Sequence, residues 1–337
     1  MLIRRETIPS GSRGVFVVSL DFELYWGVRD ILSIDDYKEK LLGARKVIPI
    51  LLNVFEEYKI HATWATVGFL FCHTKDELLS IIPDKKPLYE NTDLSPYSSM
   101  DSIGENEVIS PFHFAGSLVK LILSTKYQEI GTHTLSHYSC LEKGQNIDCF
   151  REDVATAVNL ASRYNIDIKS FVFPKDQYSE THVRVLKKLG IKSYRGRGNE
   201  RSWIYAPRKK EYETLVRRGI RLLDVYFNIS GYNTYKLNNN MGENLKKHLP
   251  VNIPSSRFLK PYSKKLGIFE PLRLKRILSS LNHAAKYGEM YHLCWHPHNF
   301  GSNLSENIEF LKKILDEYLV LKKKYGIESL SLGELSR

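Results

Sequence analysis

The chain carries only four cysteines, Cys72, Cys140, Cys149 and Cys294, and no two stand at C-x-x-C spacing. That argues against a disulfide framework and a zinc ribbon. No apolar run approaches the roughly 18–20 residues of a membrane span. The opening stretch MLIRRETIPSGSRG has no apolar core, so no signal peptide is expected, and a soluble cytoplasmic protein is the default. No G-x-S-x-G elbow is present, which disfavours a serine hydrolase. A Walker loop and a G-x-G-x-x-G fingerprint are also missing, and Gly196-Arg197-Gly198 is too short to serve. No fixed-period repeat occurs.

The 337 residues have ordinary globular composition, 42% hydrophobic and 26% charged, with a net charge of +11. Residues 205–280 hold 16 Lys or Arg against 5 Asp or Glu, so this region alone accounts for the surplus. A basic region in an otherwise neutral chain is either a solvated face or a surface for an anionic partner. An anionic substrate, peripheral contact with the inner face of a membrane, and nucleic acid all fit that description. No nucleic-acid-binding fold accompanies the basic residues, so nucleic acid is not expected.

Short apolar runs alternate with helical periodicity. Val15–Leu20, Ala62–Val67, Glu129–Gly131, Ser170–Phe173, Ile191–Tyr194, Leu222–Val225 and Met290–Trp295 read as strands. Asp36–Tyr58, Phe112–Leu123, Asp153–Tyr164, Thr181–Leu189, Leu272–Tyr287 and Ser305–Tyr325 read as helices, the last capped by Ser305 and stopped by Gly326. Such alternation predicts parallel strands covered by helices, and about seven units point to a (β/α) barrel in one domain spanning 1–337. Residues 74–107 and 228–269, the latter with NNN at 238–240, break the rhythm and are expected to be insertions shaping a cleft.

Barrels place chemistry at the carboxyl ends of their strands. Three such ends carry suitable groups: Asp21 and Glu23 in SLDFE, His133 and His137 in GTHTLSH, and His296 and His298 in CWHPHN. His133 and His137 stand four apart, the spacing that puts two imidazoles on one turn of helix within reach of one ion. A carboxylate from another strand would complete a hydrolytic metal site with positions open for water. The plainer readings are ion-paired or capping carboxylates and structural histidines. Trp26, Trp64, Trp203 and Trp295 are either core or sugar platforms.

Taken in order, five stretches resemble the motifs of the polysaccharide deacetylase superfamily, the NodB-type carbohydrate esterases. EIGTHTLSHYSC (129–140) resembles its H-[ST]-x-x-H metal motif, and SLDFELYWG (19–27) stands where T-F-D-D is usual. HATWATVG (61–68), FVFPKDQYS (171–179) and LCWHPHNFG (293–301) follow the remaining motifs. The resemblance implies a distorted (β/α) barrel, one divalent metal ion, commonly zinc, and hydrolysis of an N-acetyl group from an amino sugar. It implies Asp21 as general base, Glu23, His133 and His137 as metal ligands, and His296 as general acid with His298 as rival. Phe22 stands where the motif has its second Asp, so Glu23 supplies that carboxylate one residue later and Phe22 turns to the core. The exchange of roles between Asp21 and Glu23 stays open.

The motif arginine that orients the base is missing from Phe173-Pro174-Lys175-Asp176. Lys175, Asp176 or Arg195 could replace it, and these three join Trp26 and His298 as candidate substrate-side residues. The departures resemble those of deacetylases from bacterial surface-polysaccharide gene clusters. The implied partner is an N-acylated glycan, anionic or lipid-linked. The alternatives are hydrolysis of another C–N bond, by an N-formyl sugar deformylase or an allantoinase-like amidase, and a catalytically silent glycan-binding relative.

Overall fold

A computed structural model describes residues 13–198, 214–236 and 248–336. The segment NNN at 238–240, Trp203, Lys246 and Lys247 lie outside the described residues.

The centre is β1 (Val15–Phe22), buried along its whole length. Its side chains alternate between two apolar layers, as the period of two in a strand requires. Phe16, Val18, Leu20 and Phe22 join the large core beneath the helices. Val15 and Val17 face a smaller core with Ala65, Val172, Val251, Ile253, Met290 and Leu332. Phe22 is fully buried, as its place between two carboxylates predicts.

Among the described residues, all strand pairs are parallel. The other strands are β2 (Ala62–Thr66), β3 (Gln128–Thr132), β4 (Ser170–Val172), β5 (Ser193–Arg195), β6 (Val251–Asn252), β7 (Arg257–Phe258), β8 (Met290–Trp295) and β9 (Glu328–Ser329). They run in the order β6-β5-β4-β3-β2-β1-β8-β7, with β9 beside the start of β1. The result is a curled, half-barrel α/β sheet surrounded by helices.

The helices are α1 (Ile34–Tyr58), α2 (Lys75–Ser80), α3 (Gly116–Ser124), α4 (Ile147–Ser162), α5 (Glu180–Lys188), α6 (Leu215–Asp224), α7 (Glu270–Tyr287) and α8 (Leu304–Tyr325). In α1 the Ser33 hydroxyl accepts from Asp36 N, and Asp35 and Asp36 stand where the helix dipole favours acid. Its stripe Leu41, Ala44, Val47, Ile48, Leu51 and Phe55 has helical spacing and faces the sheet. No helix among the described residues is long and apolar enough to cross a membrane.

Several expectations need correcting. Leu222–Val225 is not a strand: Leu222, Leu223 and Asp224 end α6, and the helix turns its leucines outward. α3 starts at Gly116 rather than Phe112, because turns before it dock on Arg45, which donates to the carbonyls of Pro111 and Phe114. α8 begins at Leu304 after Asn303, which takes a left-handed φ of 50° and displaces Ser305 as cap; Gly326 ends it as expected. Residues 228–269 are only partly an insertion, since β6 and β7 lie within them. Residues 74–107 hold α2 and 3-10 turns, with Leu78, Tyr89, Met100 and Ile103 buried.

Candidate active site

Four strand ends converge. Asp21 lies in β1 and Glu23 just beyond it, on the same face because they are two apart. His133 and His137 follow β3, Arg195 ends β5, and His296 follows β8. Glu23 Oε2 lies 3.4 Å from His133 Nε2 and 3.2 Å from His137 Nε2. His296 Nε2 is 3.5 Å from Glu23 Oε1 and 3.6 Å from Asp21 Oδ2. Glu23 is fixed in part by Gly27, where a Cβ would stand 2.0 Å from its Cδ.

His133 and His137 do not share a helical turn. They sit in a loop with left-handed backbone at Thr134 (φ 66°) and His137 (φ 59°). That loop is held from behind. Thr134 Oγ1 accepts from Tyr138 N at 2.8 Å, Leu135 N donates to Asp153 Oδ1 at 2.7 Å, and Ser136 Oγ donates to the other Asp153 oxygen. Tyr89, from the 74–107 segment, accepts from Ser139 N at 2.9 Å. Asp153 is fully enclosed in α4. Burial pushes its carboxyl up to about 7 against the lowering effect of its hydrogen bonds.

Asp21 is ion-paired in a fork, with Arg195 NH1 and NH2 each 2.7 Å from one carboxylate oxygen. Burial alone would raise its pKa; Arg195, then His133, outweigh burial and hold it below the ordinary value. Glu23 is likewise held well below its ordinary value, because His296, His133 and His137 overcome its burial. Behind Arg195 runs a further chain of hydrogen bonds. NH1 also donates to Ser19 Oγ at 3.0 Å, which lies 2.8 Å from His292 Nε2, while His292 Nδ1 is 3.1 Å from the Pro254 carbonyl. The carbonyl only accepts, so His292 carries its proton on Nδ1 and takes the Ser19 proton at Nε2. His292 is buried and its pKa is pushed down to about 3, chiefly by burial, so it is a neutral structural histidine.

The remaining sequence candidates divide. Trp26 is no sugar platform: it is buried, packs on Phe69 and His113, and donates from Nε1 to the His113 carbonyl at 2.9 Å. Arg195 is buried on Asp21 and Ser19, so it orients the carboxylate and does not face a substrate. Lys175 and Asp176 stand at the rim with left-handed φ of 55° and 54°, and Lys175 pairs with Asp30 at 2.7 Å. Neither replaces the arginine. His298 is buried against His296, ring centroids 5.0 Å apart, and burial pushes its pKa down to about 3. Asp153, Asp30 and Ser19 escaped sequence reasoning; Ser19 alone had a signal, standing two residues before Asp21 on the same strand face.

Among the described residues, two sets of donors could hold one cation. In each, the ligand atoms lie within 4.8 Å of one another: Glu23 with His133 and His137, and Glu23 with His296 and His298. The first set fits a divalent ion better. His133 donates from Nδ1 to the Val172 carbonyl at 2.8 Å, which leaves the Nε2 lone pair aimed at Glu23. In the second, His296 Nε2 faces both the Asp21 and the Glu23 carboxylates, an arrangement that suits a ring donating a proton rather than a metal ligand.

A curled parallel sheet with two imidazoles and a buried carboxylate at its strand ends defines a hydrolase-like class of barrel. Comparison with known proteins narrows it. The polysaccharide deacetylase family profile matches residues 31–194, just under half of the chain. Its fold is similar to that of a protein assigned as a polysaccharide deacetylase from Mycobacterium smegmatis, at 10% identity, TM-score 0.57, covering 98% of this chain and 91% of that one. A second such protein, from Pseudomonas aeruginosa PAO1, gives 9% identity, TM-score 0.55 and coverage of 97% and 90%. PuuE allantoinase gives 10% identity, TM-score 0.54 and coverage of 98% and 91%. A search of curated proteins returned no significant match.

Proposed function

We propose that the chain is a divalent-metal-dependent hydrolase that removes an N-acetyl group from an amino sugar of a polysaccharide or lipid-linked glycan. The observation that carries the reading is Glu23, His133 and His137 gathered beside the Asp21–Arg195 pair and His296. Glu23, His133 and His137 would hold the ion, with zinc expected from two imidazoles and a carboxylate. When bound, such an ion polarises the amide carbonyl and makes water more acidic.

The protein's own groups move the protons. Asp21, kept ionised and oriented by Arg195, takes a proton from the attacking water as the C–O bond forms. His296, as the imidazolium, delivers a proton from Nε2 to the amide nitrogen as the C–N bond breaks and regains it from Asp21, so that acetate and a free amine leave. The base and acid stand side by side, with Asp21 Oδ2 3.6 Å from His296 Nε2. His298 is too enclosed to deliver a proton to a bound glycan.

The likeness to an allantoinase fold keeps other C–N bonds in view, because it shares the scaffold without the sugar. Acetate release should be measured from oligomers of N-acetylglucosamine by metal-loaded protein, beside N-formyl sugars and allantoin. Acetate from the first, abolished in Asp21→Asn, supports deacetylation. Formate from the N-formyl sugars alone, or turnover of allantoin alone, would replace this reading with the other amidases. No turnover of any, with glycan still bound, would make the chain a silent glycan-binding relative.

A further inference from the structure

Helix α6 is inverted with respect to the usual amphipathic rule. Its charged residues Arg217 and Asp224, seven apart and so on one face, are buried. Asp224 takes hydrogen bonds from Ile229 N, Ser230 N and Ser230 Oγ, and faces Arg257 and Arg276 at 3.5 and 3.8 Å. The apolar residues instead point away from the protein. Leu215 is 80% exposed, and Val216, Leu222, Leu223, Phe227 and Ile229 are exposed too.

A second apolar stretch lies alongside. Tyr226 packs on Phe269, ring centroids 5.7 Å apart, which brings the 264–269 turn beside the end of α6. There Ile268 is 83% exposed, with Phe269 and Leu272 also open. Basic side chains stand among them: Arg218, Lys264 and Lys265 are exposed. The described residues between 214 and 280 hold eleven Lys or Arg against two Asp or Glu. Those two acids are committed, Asp224 as above and Glu270 to Arg273.

Exposed leucines, isoleucines and phenylalanines interleaved with cations, with Glu306 near Lys264 as the acid at their edge, are the chemistry of an interfacial helix. We propose that α6 and the 264–269 turn dock this protein onto an anionic membrane surface. The apolar side chains enter the headgroup boundary while Arg218, Lys264 and Lys265 meet lipid phosphates. The surface borders the candidate site: Arg257 pairs with Asp224 under α6, and the next residue, Phe258, packs against His296 with ring centroids 5.2 Å apart. This docking stands on exposure and charge, whatever bond the site cleaves.

The test is flotation of the full chain with vesicles of phosphatidylcholine alone and with one third phosphatidylglycerol, at low and high salt. The protein is expected to float with the anionic vesicles at low salt and much less with the neutral ones. Leu223→Glu and Ile268→Asp should each lower the partition coefficient about tenfold by removing an inserted apolar group. Lys264→Glu/Lys265→Glu should lower it about fivefold or more per residue. All these positions are exposed, so thermal unfolding should match the wild type. Wild type that stays with the bulk at low salt, or variants that float equally, would overturn the proposal. So would light scattering that finds a dimer dispersed by Leu223→Glu, since the face would then belong to a second copy of the chain.

Discussion

The buried Asp153 makes a quantitative prediction. Its carboxyl titrates near 7 in the folded chain, pushed up by burial, against an ordinary 3.8. A folded state that binds the proton more tightly than the unfolded one is favoured at low pH. The stability so gained is complete below about pH 4 and is lost as pH rises through 7. Three units at 1.36 kcal/mol each amount to about 4 kcal/mol. Asp153→Asn cannot ionise, and its carbonyl still accepts from Leu135 N. Relative to the wild type, the variant should therefore gain stability from pH 4 to about pH 7 and then level off.

The comparison must be a difference, because other buried groups oppose it. His113 and His182 are pushed down to about 4, and His292 and His298 to about 3, chiefly by burial. They bind fewer protons folded than unfolded, so their contribution rises with pH up to about 6.5. Those terms are common to both proteins and cancel. Urea-unfolding midpoints read by tryptophan fluorescence at half-unit pH steps would measure the difference. Parallel curves across that range would refute the reasoning.

Two further predictions concern the site. Arg195→Lys replaces a fork on Asp21 with a point charge, and kcat should fall by about 10²-fold or more while bound metal is unchanged; full activity would remove Arg195 as the positioning residue. Gly27→Ala drives a methyl into the Glu23 carboxylate, so metal affinity should drop while the thermal transition moves little; unchanged affinity by competitive chelator titration would show that Glu23 is not the ligand.

What was legible followed from local rules. Asp21, Glu23, His133, His137 and His296 are polar groups at the ends of buried strands, so their convergence could be read from strand positions alone. Arg195 was one of three possible partners for Asp21. The choice depends on the curl of the sheet, which places the end of β5 opposite β1 with three strands, β4, β3 and β2, between. Asp153 was invisible, because a carboxylate inside a helix looks like a surface residue until the histidine loop folds onto it. Trp26 misled because it lies in the motif stretch yet turns inward. Leu222 and Leu223 misled because apolar residues were assumed to face the core, whereas here Arg217 and Asp224 do.

The most direct measurement is the metal content of the purified chain after equilibration with zinc and gel filtration, beside His133→Ala/His137→Ala. The account predicts about one ion per wild-type chain and close to none in the double variant, with both proteins folded. Equal metal in the two, or none in the wild type after zinc, cobalt and nickel have each been offered, would contradict it.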